Sequence, residues 1–383
     1  MTERLYWEDP YATAFEATVV EVLEVEGSPA VVLDRTLFYP TAGGQPHDTG
    51  TLGGARVVRV LEAEKHGDTL IHVLDRPLAA GARVEGAIDW PRRYRHMQRH
   101  TAQHILSQAF LRAGRGNTLA VNLKNPVFTV DLDLPPDPKT IEEAEALANW
   151  AVYANLPVRT FFLEEAQVPL YPLRRMPQVR GRIRVVEIGD WDLAPCGGTH
   201  LRSSAEAGPI KVLGFERWKK GGTRVYATAG WEALEDYAQK HAALKNLAQK
   251  FASRPLEVPD RVAKLEVELY RARGARMEAE RALAGWLQEA LVREQGRRIA
   301  AQVPAAALEE LARGLQARPG TAFLLVAPTP PTARFVLFGA PEVWPRLQAL
   351  GARGGGRDRI QGVLPLAQIE EALQTFRDPG VDS

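Results

Sequence analysis

Only one cysteine, Cys196, occurs in 383 residues. That excludes an internal disulfide framework and suits a reducing compartment. No run of about 18 or more apolar residues occurs, so no membrane-spanning helix is predicted. The opening segment, MTERLYWEDPYATAF, is acidic and has no apolar core followed by a cleavage site. It does not read as a signal peptide, and a cytoplasmic location is expected. Charge of one sign is missing too: 48 basic against 47 acidic side chains leave a formal net charge of +1. The chain is no polycation, so any nucleic-acid contact must come from local clusters. What remains is ordinary globular composition, 45% hydrophobic and 25% charged, at a length that one hydrophobic core does not usually fill.

Four regions follow, and together they predict an α+β class. Residues 1–90 are β-rich: FEATVVEVLEV, ARVVRVLEAE and ARVEGAIDW mix β-branched residues with charges at near-alternating positions. A small barrel or sandwich is the natural packing. Between two of its strands lies YPTAGGQPHDTG, whose glycines imply an unusual backbone. Residues 91–230 mix helices and strands, beginning with the helical pattern RRYRHMQRHTAQHILSQAFLRAG. Residues 231–301 read as helix broken at SRPLEVPD, with Val262, Leu265, Leu269, Ala272, Ala279, Leu283, Trp286 and Ala290 at 3–4 spacing that Arg276 interrupts. A helical hairpin and a coiled coil between subunits both fit that spacing. Residues 302–383 read as a compact α/β domain with strands TAFLLVAP and ARFVLFG.

The chemistry concentrates in RHTAQHIL and DLAPCGGTH. His100 and His104 stand at i, i+4 on a helix, so both can face one point. His96 extends the same stripe, and spacing alone does not choose between His96–His100 and His100–His104. Cys196 and His200 are again four apart, but on a Gly-rich turn that can fold back. Two nitrogen donors on a helix with a sulfur and a nitrogen on a turn suit Zn²⁺. Protease chemistry is excluded, because the position of the zincin glutamate holds Thr101, and neither Ala102 nor Gln103 is a base. A catalytic metal here must generate its own nucleophile by lowering the pKa of water to about 7, which suits an activated ester. Four protein ligands also describe a closed structural site, so a non-catalytic zinc module that binds RNA is the alternative. Hydrolysis of another small ester is a third reading.

Two motifs in this order carry a resemblance. RHTAQHIL with APCGGTH resembles the paired HxxxH and CxxxH motifs of alanyl-tRNA synthetase editing domains and of the free-standing AlaX proteins. LDRTLFYPTAGGQPHDTGTL resembles the Gly-rich segment that precedes the zinc domain in alanyl synthetases and long-form AlaX. More weakly, GARGGGRDRIQG is similar to the glycine-rich loop of the synthetase C-terminal domain. The upstream class II aminoacylation domain of a full synthetase has no counterpart in the sequence, so the resemblance is to long-form AlaX, which edits in trans.

The resemblance implies hydrolysis of mischarged tRNA(Ala), Ser-tRNA(Ala) first and Gly-tRNA(Ala) second. It implies His100, His104, Cys196 and His200 as zinc ligands, with His96 a flanking residue. The catalytic residues stay unknown beyond the water that the metal activates. Thr101 resembles the family threonine of the amino-acid pocket, and Gln103 is a second candidate there. In the Gly-rich segment, Gly43, Gly44 and Gln45 are candidates for substrate binding, although a turn docking two domains explains the glycines equally well. Basic clusters in PRRYRHMQRH, LRRMPQVRGRIR and ERWKKGGTR are candidates for RNA phosphates. A homodimer through the helical or C-terminal region is left open, and no membrane partner is expected.

Overall fold

The computed structural model describes residues 2–63, 66–114, 116–135, 137–177 and 180–378. The chain divides into two compact units, residues 1–243 and 244–383.

The first unit opens with a closed antiparallel barrel. Its strands run, in order around the barrel, Ala14–Val25, Ser28–Leu33, His66–Leu74, Ala55–Ala63, Gly50–Leu52 and Arg83–Ile88. Alternation produces it: in Arg83–Ile88 exposed and buried residues strictly alternate, and Leu33, Leu52, Val57, Val60 and Leu74 fill the interior. Closure leaves no edge strand to be covered. The Gly-rich segment leaves the barrel and folds as a turn with positive φ at Gly43 (56°) and Gly44 (85°). It docks on the following domain. Leu123 N–H donates to Gly44 O at 3.1 Å, and a Cβ at position 44 would stand 3.3 Å from Val121 O.

Helix α1 (Trp90–Gly114) is the axis of the unit. Asp89 accepts a hydrogen bond from Arg92 N–H at its start, and Pro91 fits the first turn. Helix α2 (Pro138–Tyr153), capped by Asp137, packs beside it. A four-stranded sheet runs Ile210–Arg217, Thr223–Ala229, Phe128–Leu132, Thr118–Asn122, and a three-stranded sheet runs Val158–Glu164, Arg182–Ile188, Asp192–Pro195. Residues 96–107 of α1 are buried without interruption, polar ones included. A polar helix buried on every side must meet its own hydrogen-bonding needs from its neighbours, and that requirement builds the site.

The same burial corrects the reading of PRRYRHMQRH as an RNA-facing cluster. Arg93 is wholly buried against the Asp48 carboxylate and also donates to Pro10 O and Leu37 O. Arg99 is buried on Glu232, and Arg95 pairs with Glu235 at the surface. These arginines hold the barrel and the chain's own helices to α1. In the second cluster Arg174 and Arg184 are likewise turned inward, and residues 178 and 179 lie outside the described residues.

Helix α3 (Gly230–Lys250) and helix α4 (Val258–Gln295) follow, separated at the two prolines as the sequence suggests. The helical stretch ends earlier than 301: Arg298–Gln302 is already a strand of the C-terminal sheet. That sheet runs Arg298–Gln302, Ala322–Thr329, Thr332–Phe338, Arg359–Pro365, Arg353–Gly355. Only its first pair is parallel. Phe323 and Leu325 point to one face, with the end of α4 and helix α5 (Leu308–Gln316), and Leu324 and Val326 to the other. Among the described residues no helix is long and apolar enough to cross a membrane.

Candidate metal centre

His100, His104, Cys196 and His200 converge, with one potential ligand atom from each lying within 4.8 Å of all the others. Helix α1 brings the first two to one face. The strand Asp192–Pro195 delivers Cys196 onto a turn that folds back, so that His200 Nε2 stands 3.2 Å from Cys196 Sγ and His100 Nε2 stands 3.4 Å from it. Three imidazoles and a thiol around one point are a donor set that fits Zn²⁺. The three histidines are buried, and Cys196 is partly open. The register ambiguity is thereby resolved: His96 is not in the cluster. Its Nδ1 is buried without a partner among the described residues. Burial, reinforced by Arg99, Arg92 and Arg93, holds its pKa down at about 2.

Each imidazole of the cluster has its Nδ1 engaged by another residue. His100 Nδ1 meets Gln45 Oε1 at 2.7 Å, His104 Nδ1 meets Asp192 Oδ2 at 3.0 Å, and His200 Nδ1 meets Thr101 Oγ1 at 3.3 Å. Such contacts fix the tautomer and leave Nε2 free as a ligand atom. The supports are themselves held. Gln45 Nε2 donates to Thr199 Oγ1 at 2.9 Å, Thr101 Oγ1 accepts from Leu201 N–H at 3.2 Å, and Arg174 Nε donates to Asp192 Oδ1 at 2.7 Å.

Electrostatics agree with a ligand set. Burial alone would raise the Cys196 thiol, but His100 and His200 beside it hold it well below the ordinary thiol range. Burial pushes His200 down to about 3, the neutral form that binds metal. His104 is depressed by burial, yet the Asp192 carboxylate and Cys196 bring it above its usual value.

The other candidate residues fall around this core. Gln45 is fully buried on His100, while Gly43 and Gly44 shape the docking turn that carries it there. Thr101 is fully buried on His200 and Leu201. Gln103 is also buried and donates to Ser107 Oγ at 2.8 Å. Asp192 was not singled out by the sequence, and Arg174 and Arg184 entered it only within a basic cluster assigned to RNA. Asp192 heads the stretch DLAPCGGTH, but an acid at the start of a short strand carries no spacing signal.

Comparison with known proteins places these features. Residues 183–226 match the family model described as the threonyl and alanyl tRNA synthetase second additional domain. Residues 11–92 match the model for tRNA synthetases class II (A). The alanine–tRNA ligase of Hyperthermus butylicus is 37% identical over 291 residues, 71% of this chain and 30% of the ligase. The alanyl-tRNA editing protein AlaX-L of Pyrococcus horikoshii is 35% identical over 244 residues, 61% of this chain and 59% of that protein. The ligase of Pyrobaculum neutrophilum is 34% identical over 402 residues, reaching 98% of this chain and 44% of the ligase. The chain thus spans less than two thirds of the length of each of these relatives. By its paired motifs, its converging side chains and these identities, it is similar to the AlaX-L editing protein and to part of alanine–tRNA ligase.

Proposed function

We propose that the chain hydrolyses the aminoacyl ester of mischarged tRNA(Ala), acting in trans on Ser-tRNA(Ala) and secondarily on Gly-tRNA(Ala). The observation that carries this reading is the His100, His104, Cys196 and His200 cluster with every Nδ1 supported. The similarity to the alanyl-tRNA editing protein of Pyrococcus horikoshii supports the substrate class. Those four residues would hold zinc, which when bound supplies Lewis acidity toward an ester carbonyl or a water. Gln45, Asp192 and Thr101 keep the imidazoles in the ligating tautomer. The reading calls on no protein general base, which an already reactive ester does not require.

Rejecting alanine needs polar groups that go unpaired when the substrate hydroxyl is missing, an effect that reaches roughly 10⁴–10⁵-fold in sites of this kind. Thr101 and Gln103 are proposed to shape that pocket. Thr101 does so through a hydroxyl already engaged by His200 and Leu201, so its part is to fix the pocket wall. The test is deacylation of Ser-, Gly- and Ala-tRNA(Ala) by the zinc-loaded and the metal-stripped chain. Selective loss of Ser-tRNA(Ala) that depends on metal is expected. A zinc-loaded chain that binds tRNA and deacylates none of the three would instead make the site a structural module.

A second copy of the chain is the proposed partner of α4. Val262, Leu265, Leu269, Leu283 and Trp286 are all exposed, and with Ala272, Ala279 and Ala290 they form a 3–4 seam that is apolar except at position 276. The end of α4 buries a different face, Ala284, Leu287 and Leu291, in the C-terminal core. In a parallel, in-register pair Arg261 would flank the partner's Glu266 and Glu268 the partner's Arg273, opposite charges in both cases. Arg276 interrupts the seam and is drawn aside to Glu280 at 3.3 Å. Light scattering on the full chain should give a dimer, and Leu269→Glu should give a folded monomer. A monomeric wild type at micromolar concentration would sink the idea.

A further inference from the structure

Arg184 lies on the strand Arg182–Ile188, beside the turn that carries Cys196, and its carbonyl accepts the Cys196 N–H at 3.0 Å. The residue is 5% exposed, yet its guanidinium meets no carboxylate among the described residues. Arg93 and Arg99, equally buried, meet Asp48 and Glu232. An unpaired buried cation is costly, and exchanging buried charge for apolar volume is often neutral or stabilising. Stability of the fold is therefore a poor reason for an arginine here.

What the guanidinium meets instead is the metal turn. Nη1 donates to Cys196 O at 2.9 Å and to Gly198 O at 2.8 Å, while Nε and Nη2 have no partner among the described residues. The carbonyl between these two, Gly197 O, accepts the Trp7 indole N–H at 2.8 Å. Three successive carbonyls are thus held by two side chains, one from a strand and one from the N-terminal segment. The turn needs holding: two adjacent glycines give it more backbone freedom than any other pair of residues would, and it has to present Cys196 and His200 together.

We propose that Arg184, with Trp7, is a positioning residue of the metal centre, fixing the Cys196–Gly198 carbonyls so that the Cys196 and His200 ligand atoms are preset before metal arrives. This rests on the metal reading above. Preorganising ligands lowers the ordering cost of binding.

The experiment is zinc affinity of the full chain, by competition with a chromogenic chelator, beside thermal unfolding of the metal-free chain. Arg184→Met should leave metal-free unfolding unchanged or raised while weakening zinc by about tenfold or more. Arg184→Lys, which keeps the charge and loses the planar fork, should fall between it and wild type. Trp7→Phe removes one N–H and keeps a ring against Phe162; it should weaken zinc roughly threefold, and it covers the case in which Met at 184 does not fold. Wild-type affinity in both Arg184→Met and Trp7→Phe overturns the inference. So does loss of affinity matched by loss of metal-free stability, since that marks a merely structural role. A wild-type chain that takes up no zinc overturns the metal reading itself, and the inference with it.

Discussion

Gly198→Ala should weaken zinc binding by about 100-fold or more, and take metal-dependent activity with it, in a chain that still folds. A Cβ at position 198 would fall far inside contact distance of the His100 ring, at Cε1 and Nδ1, and would stand 3.0 Å from Gln45 Oε1. The ring cannot swing away cheaply, because Gln45 holds its Nδ1 at 2.7 Å and is itself tied to Thr199. The methyl therefore displaces a ligand together with the residue that orients it. Its neighbour provides the control: a Cβ on Gly197 meets nothing within 4 Å. Gly197→Ala should bind zinc much as wild type does. Chelator competition on both variants measures this, and equal affinities would show that Gly198 does not guard the His100 position.

Asp192→Asn should weaken zinc about 10- to 100-fold and destabilise the metal-free chain by about 3–5 kcal/mol. The carboxylate is fully buried and serves an imidazole and a guanidinium at once. Oδ2 takes His104 Nδ1 at 3.0 Å and Oδ1 takes Arg174 Nε at 2.7 Å. Burial works against its ionisation, but the His104 and Arg174 contacts hold its pKa below the usual carboxylate value. An asparagine cannot fill both roles. With its NH₂ toward His104 it favours a proton on Nε2, the nitrogen meant for the metal. With its NH₂ toward Arg174 it sets donors against donors. Either way the Arg174 side chain, 10% exposed, loses its counter-ion. Urea unfolding of the metal-free chain and zinc titration should both report the change, and wild-type values in both would mean that the pair is incidental.

The barrel was legible because its strands alternate and are punctuated by glycine, proline and aspartate. The C-terminal strands were legible as short apolar runs. The end of the helical region was misplaced, because RIAAQ carries few β-branched residues; it becomes a strand by pairing in parallel with Ala322–Thr329. The arginines of α1 read as an RNA surface because charge in sequence does not reveal burial. Arg93 and Arg99 are buried because Asp48 and Glu232, 45 and 133 residues away, come to meet them.

The sequence by itself determined the donor set: a lone cysteine four residues before a histidine on a glycine turn, and two histidines one helical turn apart. Residue type and local spacing are enough for that, since helix geometry fixes which side chains share a face. Spacing left open which histidine of the stripe is excluded; the resemblance implied His96, the tertiary structure leaves it out of the cluster, and only that structure shows what holds each of the others. Gln45 reaches His100 across 55 residues, Asp192 reaches His104 across 88, and Thr101 reaches His200 across 99. No local pattern encodes such pairs. They exist because a polar helix buried on every side must find its partners wherever the packed chain brings them.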